Sequence, residues 1–263
     1  MTYDIFQEST GAQDKTSNRE PAYHLSLDYL FNKKSSLFLS LKRSFRFPVS
    51  DELILVYPSY QVNPSIKPQT GYHYEAGIRH SFFDWMEANL TLFWIDLKNE
   101  IFFNPSTFNN ENYGKTRRQG LEAGVKVKPF DWLSLWGNYT YIRPLFRGDS
   151  FSGNDVPGVP RHKGAIGTDI NPGKGFLMNV KMNWTGPRYF ISDWNNQFDR
   201  LQGYYTLDTK LSYSWKGLKT FVGINNLTNR KYVEWAATNA TGTSQLFYPS
   251  PERNFFGGIS YTF

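Results

Sequence analysis

Apolar and polar residues alternate with a period of two through successive segments of about ten residues along this chain. From Tyr205 to Trp215, the odd-numbered positions carry mainly Tyr, Leu and Trp, and the even-numbered positions carry Thr, Asp, Lys and Ser. Successive side chains of a β-strand point to opposite faces, so such a segment predicts a strand with one apolar and one polar face. The alternation recurs in Tyr23 to Tyr29, Leu37 to Leu41, Leu121 to Val127, Phe176 to Trp184 and Phe255 to Phe263.

The composition narrows what such strands can build. Aromatic residues make up 18% of the 263 residues, yet the mean hydropathy is polar at -0.53. A water-soluble globule rarely carries so many rings without matching aliphatic residues, whereas a membrane barrel combines aromatic girdles with a polar lumen. No apolar run approaches the roughly 20 residues that a spanning helix needs. The sequence therefore favours a membrane crossed by strands.

Short and long connections take turns between the predicted strands. The short ones are Asn32–Ser35, Phe83–Trp85, Pro129–Asp131, Asn171–Gly175 and Trp215–Gly217, and the long ones are Arg46–Thr70, Asn104–Tyr113, Arg147–Pro160, Ile191–Gln202 and Val233–Pro251. This layout is typical of tight periplasmic turns opposite long extracellular loops. We predict an all-β fold, an antiparallel transmembrane β-barrel segment of about 11 to 12 strands, with Thr2–Gln7 as the tail of another strand.

The polar face of the predicted strands carries charges that are candidates for a wet lumen. They are Glu75, Arg79, Glu122, Lys126, Asp208 and Lys210. Such a set either contacts a partner inside the lumen or forms a hydrated wall, and the sequence leaves both open. Aromatic residues of the long loops, namely Tyr189, Trp194, Trp235 and Phe247, fit either a planar ligand or lipid headgroups.

Signatures of catalysis and of metal or nucleic-acid binding are weak. His73 and His80 have opposite parity and so point to opposite faces of one strand, while His73 and Glu75 share a face as two polar neighbours, too few for a metal site. Gly114-Lys115-Thr116 resembles part of a phosphate-binding loop, but a strand follows it where a helix is required. Lys and Arg are scattered among acidic residues. We expect no enzyme, no cofactor, no metal and no nucleic-acid partner.

Two C-terminal motifs carry a resemblance to a known family. The first contains Asn225, Asn226, Leu227, Asn229 and Tyr232, and the second runs from Pro251 and Arg253 to the terminal Phe263. They resemble the last two strands of TonB-dependent outer-membrane receptors. Tyr74-Glu-Ala-Gly-Ile78 and Gln119-Gly-Leu-Glu-Ala-Gly124 are similar to paired mid-barrel strands of that family, although each is weak alone.

The resemblance implies a ligand-gated receptor of the bacterial outer membrane that takes up a siderophore, metal chelate, cobalamin or similar scarce solute. It further implies lipid around the barrel, an energy-transducing TonB complex that acts through a plug domain, and a barrel-assembly machinery that reads Ile259, Tyr261 and Phe263. Barrels of this family have about 22 strands. Residues 1–263 are therefore expected to be the C-terminal part of the barrel, with plug and signal peptide absent from this chain. The alternative is a complete barrel of about twelve strands, such as a porin, an autotransporter translocator or an outer-membrane phospholipase.

Overall fold

The structure, a computed structural model, describes residues 2–7, 12–55, 61–63, 65–104, 107, 109–148, 150–239 and 241–263. One short 3₁₀ helix spans Ser50–Leu53, and in the described ranges no helix is long and apolar enough to cross a bilayer. The described strands are β1 (Thr2–Gln7), β2 (Ala12–Ser17), β3 (Tyr23–Asn32), β4 (Ser35–Arg46), β5 (Ile54–Leu55), β6 (Gln61–Val62), β7 (Gln69–Phe83), β8 (Met86–Asn104), β9 (Asn109–Phe130), β10 (Leu133–Phe146), β11 (His162–Gly173), β12 (Phe176–Thr185), β13 (Tyr204–Trp215), β14 (Leu218–Asn225), β15 (Val233–Thr238), β16 (Gln245–Pro249) and β17 (Asn254–Tyr261).

Eleven of these strands form one antiparallel sheet. Its order is β17-β14-β13-β12-β11-β10-β9-β8-β7-β4-β3. Each strand of the sheet pairs with the next sheet strand along the chain, which makes a simple up-and-down meander. Strands β3 and β17 are the two edges of the sheet as described. The predicted all-β fold and strand number are confirmed.

The register across the sheet separates two faces. One row is apolar throughout, with Leu27, Leu39, Ala76, Leu92 and Leu121 side by side on five strands. The protein leaves this face uncovered, since Leu27 is 63% and Leu92 55% exposed. An uncovered apolar surface spanning a whole sheet belongs in hydrocarbon. The predicted alternation is confirmed.

The polar row next to it has the opposite parity. Ser26, Ser40, Glu75, Phe93 and Gly120 lie side by side on the same five strands. We call the two surfaces the apolar face and the polar face.

All five predicted short turns lie at one edge of the sheet, and the long connections lie at the other, which we call the loop edge. In two of the short turns Lys174 and Lys216 adopt positive φ angles of 53° and 42°, beside glycines that tolerate such angles.

One predicted long loop is wrong. Strands β8 and β9 continue far past their neighbours, over 19 and 22 residues, and pair up to Asn104 opposite Asn109. Residues 109–113, predicted as loop, therefore belong to a strand. The polar composition of these residues suggested a loop. In the structure, Glu111 stabilises the end of the hairpin because it accepts hydrogen bonds from Asn104 Nδ2 at 3.0 Å and Thr107 Oγ1 at 2.6 Å.

Two further predictions need correction. The segment Val233–Pro251 is not plain loop, because it contains the β15–β16 hairpin. Thr2–Gln7 is a strand, but it pairs with β2 rather than with the main sheet, so it is not the tail of another barrel strand in this structure. Neither pairing leaves a periodic signal long enough to be distinguished from irregular structure in the sequence.

Candidate functional site

The six charges predicted to face a lumen all lie on strands β7, β9 and β13 with the parity of the polar face. Glu75 lies between Ser40 and Phe93, and Glu122 lies between Thr91 and Thr140. Lys126 lies directly opposite Glu87. The guanidinium of Arg79 lies 4.8 Å from the ring centroid of Phe38, and the Lys210 ammonium lies 4.4 Å from that of Phe221. The structure therefore distributes these charges along one wall and does not gather them into a single pocket.

His73 and His80 are placed as predicted on opposite faces of β7. His73 Nε2 lies 2.8 Å from Ser44 Oγ on the polar face, and His80 Nδ1 lies 2.8 Å from Ser35 Oγ. Within the described part of the chain, no group of three or more His, Cys, Asp or Glu side chains is close enough to hold a metal ion.

Asp208 is the best-connected of the six charges. It accepts hydrogen bonds from Asn183 Nδ2 at 2.9 Å and from the backbone N–H of Asn226 at 2.9 Å. Lys181 Nζ lies 3.7 Å from its carboxylate. Asp208 thus joins the polar face of β12 and β13 to the chain that leaves β14 towards the loop edge.

Asn226 and Asn229 shape that departing chain. Both adopt left-handed backbone conformations, with φ angles of 51° and 52°, which asparagine tolerates better than most residues. The Asn226 side chain accepts a hydrogen bond from Arg230 N and donates one to Arg230 O, each at 2.8 Å. Asn229 N donates to Asn226 O at 2.8 Å, and Leu227 N donates to Leu207 O at 2.6 Å. The first sequence motif is therefore a compact turn locked onto β13.

The second motif closes the same loop from its other end. Arg253 N donates to Asn229 Oδ1 at 2.9 Å, and Asn225 Nδ2 donates to Asn254 Oδ1 at 2.9 Å. Ser250 N donates to Tyr232 O at 3.1 Å, one residue before Pro251. These bonds hold together the two ends of the long β14–β17 connection. The two motifs form one structural unit.

A groove of about 710 Å³ lies on the polar face beneath this unit. Its lining combines aromatic rings, carboxylates, amides and two ammonium groups, and it includes Trp136, Lys163, Lys181, Tyr204, Asp208, Tyr232 and Glu234. Convergent polar groups beside aromatic surfaces are typical of small-molecule sites. The groove is the candidate functional site of this chain.

A buried arginine supports one side of the groove. Arg188, 4% exposed, donates to the carbonyl oxygens of Val233 at 2.6 Å and Glu234 at 2.5 Å. Its guanidinium lies 5.5 Å from the ring centroid of Tyr204, which stacks on Tyr232 at 4.3 Å. Burial lowers the pKa of Arg188 from its usual value. Among the described residues, its Nη1 atom has no hydrogen-bond partner. No sequence pattern distinguishes this arginine from the others.

The connections at the loop edge are packed against one another. Arg161 binds the buried Asp155 through two hydrogen bonds of 2.7 and 2.8 Å, which raises the pKa of the arginine. Asn196 Oδ1 accepts a hydrogen bond from Asp155 N at 2.6 Å and so ties the β12–β13 connection to the β10–β11 connection. The Asp193 carboxylate accepts hydrogen bonds from the backbone N–H groups of Gln197 and Phe198. We call these packed connections, together with the outer end of the β8–β9 hairpin, the loop layer.

Five aromatic side chains form a cluster in that layer. They come from the β8–β9 hairpin, the end of β10, the β10–β11 connection and the β12–β13 connection. The rings of Phe102 and Tyr113 stack at 3.4 Å across the β8–β9 hairpin, and Trp194 meets them edge-on at 4.7 and 5.3 Å. Phe146 and Phe151 complete the cluster. Tyr113 lies far beyond the part of β9 that a bilayer can cover, and burial raises its pKa well above the usual range. This aromatic cluster stabilises the loop layer.

The aromatic loop residues singled out in the sequence divide into two groups. Trp194 belongs to the aromatic cluster, and Tyr189 lies 5.8 Å from the Arg200 guanidinium. Trp235 and Phe247, on the β15–β16 hairpin, are 55% and 51% exposed and remain accessible to a ligand. Alternation could not identify Phe102, Tyr113, Phe146 or Phe151, because cluster membership depends on contacts between separate connections.

The C-terminal residues expected to serve as an assembly signal lie at the sheet edge. Ile259 and Tyr261 are on the apolar face of β17, 74% and 57% exposed, and the Tyr261 ring lies 5.1 Å from that of Phe263. Gly114-Lys115-Thr116 lies inside β9, so it forms no phosphate-binding loop.

Comparison with known families agrees with this architecture. Residues 2–227 match the family model described as TonB dependent receptor-like, beta-barrel. The chain belongs to this family. Its β-strands are thus those of an integral outer-membrane β-barrel, and the family consists of receptors and transporters, which are not enzymes.

Individual relatives are moderately similar. The ferric-pyoverdine M114 receptor PbuA of Pseudomonas sp. (strain M114) is 27% identical over 76% of this chain and 25% of its own length. Hemoglobin-binding protein A of Haemophilus influenzae is 26% identical over 98% of this chain and 31% of its own length. The crystal structure of the ferric yersiniabactin uptake receptor FyuA from Yersinia pestis has a TM-score of 0.69 at 22% identity, covering 94% of this chain and 38% of that one. The chain therefore spans between a quarter and two fifths of the length of each of these three proteins.

Proposed function

We propose that this chain is part of the wall of a ligand-gated outer-membrane receptor that takes up a scarce solute, of the iron-chelate class. One observation carries the proposal. A single sheet combines an apolar face, a charged polar face and, at the loop edge, a packed loop layer above a groove. A membrane receptor needs all of these in one wall, and the relatives bind ferric pyoverdine or haemoglobin according to their names. Cobalamin and other metal chelates are the alternative solutes.

The wall is proposed to be the C-terminal part of a larger barrel. Strands β3 and β17 each leave one row of backbone N–H and C=O groups without a partner strand in the described sheet. Inside a bilayer each such group costs several kcal/mol, so further strands must cover both edges. A complete barrel of about twelve strands would instead pair β3 with β17, and the described register contains no such pairing.

The remaining partners follow from the same orientation. With the short turns towards the periplasm, the loop layer faces the outside and receives the solute. Glu75, Arg79, Glu122, Lys126, Asp208 and Lys210 then face a plug domain contributed by the rest of the receptor, on which the TonB complex acts. Ile259, Tyr261 and Phe263 lie at the sheet edge and face lipid, where a barrel-assembly machinery can read them.

Uptake measurements test the proposal directly. A strain that lacks the full-length gene is compared with the complemented strain for accumulation of radioactive iron from a panel of ferric siderophores and haemoglobin under iron limitation. We expect accumulation of one iron source that requires both the gene and an intact TonB complex. Uptake that continues without TonB, together with passive leakage of small solutes through liposomes containing the protein, would favour the small open barrel instead.

A further inference from the structure

An unusual row of positive charges crosses the apolar face at the loop edge. Lys98 on β8 lies directly opposite Lys115 on β9. On the far side of β9, the backbone N–H of Arg147 donates to Lys115 O at 2.8 Å, so Arg147 continues the same row. All three residues are exposed. We call Lys98, Lys115 and Arg147 the outer cationic row.

Their parity places these side chains on the lipid side of the wall and not on the polar face. On β8, Leu92, Trp94, Asp96 and Lys98 alternate with the polar-face residues, and on β9 Lys115 has the parity of Leu121. The register between β8 and β9 is unbroken from Met86 to Lys98. The outer cationic row is therefore separated from the candidate groove by the sheet itself.

The positive charges of the row are not neutralised by ion pairs with described carboxylates. Like charges directly opposite on neighbouring strands are destabilising. Asp96, a nearby carboxylate on this face, is already engaged, because Arg117 Nε lies 2.7 Å from its Oδ1 and Arg117 Nη2 lies 3.2 Å from its Oδ2. In the ranges that the structure describes, no carboxylate forms an ion pair with Lys98, Lys115 or Arg147, and the Asp96 carboxylate attracts Arg147 only at longer range. The surface has free capacity for an anion.

The surroundings of the row indicate where that anion comes from. Directly beneath the row, towards the membrane centre, Tyr72, Tyr74 and Trp94 form an aromatic belt, with Arg117 lying 4.2 Å from the Trp94 ring. Leu92 and Leu121 follow below. Aromatic belts mark the interface between hydrocarbon and headgroups, and basic residues just beyond them contact anionic headgroups.

We propose that the outer cationic row binds the phosphate groups of a phosphorylated lipid headgroup in the outer leaflet. Arg and Lys donors form strong charge-assisted hydrogen bonds to phosphate oxygens, and a bound phosphate relieves the repulsion between Lys98 and Lys115. The inference rests on the orientation given under the proposed function and not on the identity of the transported solute.

The test uses the full-length protein reconstituted in bilayers. Binding of a phosphorylated glycolipid, of the same lipid with its phosphates removed, and of inorganic phosphate in solution is compared by native mass spectrometry and by the shift in thermal unfolding. The test variant combines Lys98→Gln, Lys115→Gln and Arg147→Gln. The matched control combines Lys33→Gln, Lys174→Gln and Lys216→Gln, which removes the same charge at the short-turn edge.

We expect only the phosphorylated lipid to bind the wild-type protein, with an affinity that falls as salt rises. Since each basic residue near an anionic surface contributes about fivefold in binding, the test variant should bind roughly 100-fold more weakly and the control variant unchanged. A Lys98→Arg/Lys115→Arg variant should bind like the wild type.

Three results would overturn the inference. They are equal losses in the test and control variants, wild-type binding that does not depend on the lipid phosphates, and equally tight binding of free phosphate. The lipid comparison on the wild-type protein decides the matter even if the test variant does not fold. Solute uptake is measured in parallel, so a receptor that transports normally without headgroup binding refutes this inference and leaves the proposed function standing.

Discussion

Replacing Asn226 is the sharpest test of how the two C-terminal motifs stabilise the wall. The side chain is 3% exposed, makes two hydrogen bonds to the Arg230 backbone, and belongs to a residue with a φ angle of 51°. Asn226→Gly removes both side-chain bonds but tolerates the backbone angle. Asn226→Ala removes the same bonds and adds left-handed strain. Comparing the two variants separates the contribution of the bonds from that of the backbone conformation.

The magnitudes follow from the structure. Two neutral hydrogen bonds contribute about 1 kcal/mol each, and the left-handed conformation costs an alanine about 1 kcal/mol more than an asparagine. The hydrogen bond from Asn226 N to Asp208 survives in both variants, because it involves the backbone. We therefore expect the turn to be destabilised by about 2 kcal/mol in Asn226→Gly and by about 3 kcal/mol in Asn226→Ala.

Hydrogen exchange of the full-length protein in detergent measures this loss locally. The amide of Asn229 donates to Asn226 O within the turn, and the amide of Leu227 donates to Leu207 O and so holds the turn on β13. The opening free energies of both amides should fall by the stated amounts. Asn229→Gly is the control, since Asn229 has a similar φ angle of 52° but is exposed, and its loss should stay near 1 kcal/mol. Equal protection in the alanine and glycine variants would refute the strain argument, and unchanged protection in both would refute the role of the side-chain bonds.

Three further predictions concern other parts of the wall. Arg188→Lys loses the planar donor pair to Val233 and Glu234, so amide exchange in Val233–Thr238 should accelerate about tenfold or more. Burial raises the pKa of Tyr113, so the stabilisation by its neutral ring is complete below about pH 10 and is lost as the pH rises above that value. In Tyr113→Phe, the curve of unfolding temperature against pH should therefore be flatter above about pH 10 than in the wild type. A curve identical to that of the wild type would contradict the burial of Tyr113. Deleting Phe263 should reduce the heat-modifiable folded fraction in the outer membrane, whereas an unaltered fraction would exclude an assembly role.

Local periodicity explains why the sheet could be predicted so closely. Strand β13 spans Tyr204–Trp215, the same residues whose alternation is clearest in the sequence, and the five short turns lie where glycine, asparagine, aspartate and proline interrupt the pattern. A strand with one face in lipid and the other in water must alternate apolar and polar residues along its length. The predicted parity of the six polar-face charges follows from the same rule.

The loop edge resisted prediction because its contacts join distant segments. Residues 109–113 look like a loop by composition, yet they pair with β8. Arg188 is one arginine among many in the sequence, but it is buried against carbonyl oxygens 45 and 46 residues away. No local pattern distinguishes it from an exposed arginine, because its role depends on where the β15–β16 hairpin comes to rest.

The amino-acid sequence by itself thus determined the two faces of the wall, the direction of its strands and the turns at one edge, since each of these depends on residues within about ten positions. Tertiary structure alone decided the extended β8–β9 hairpin, the groove roofed by the two C-terminal motifs, the aromatic cluster and the outer cationic row. Lys98 and Lys115 show the physical reason. They are 17 residues apart in the chain, and only the pairing of two strands in one register brings their charges side by side.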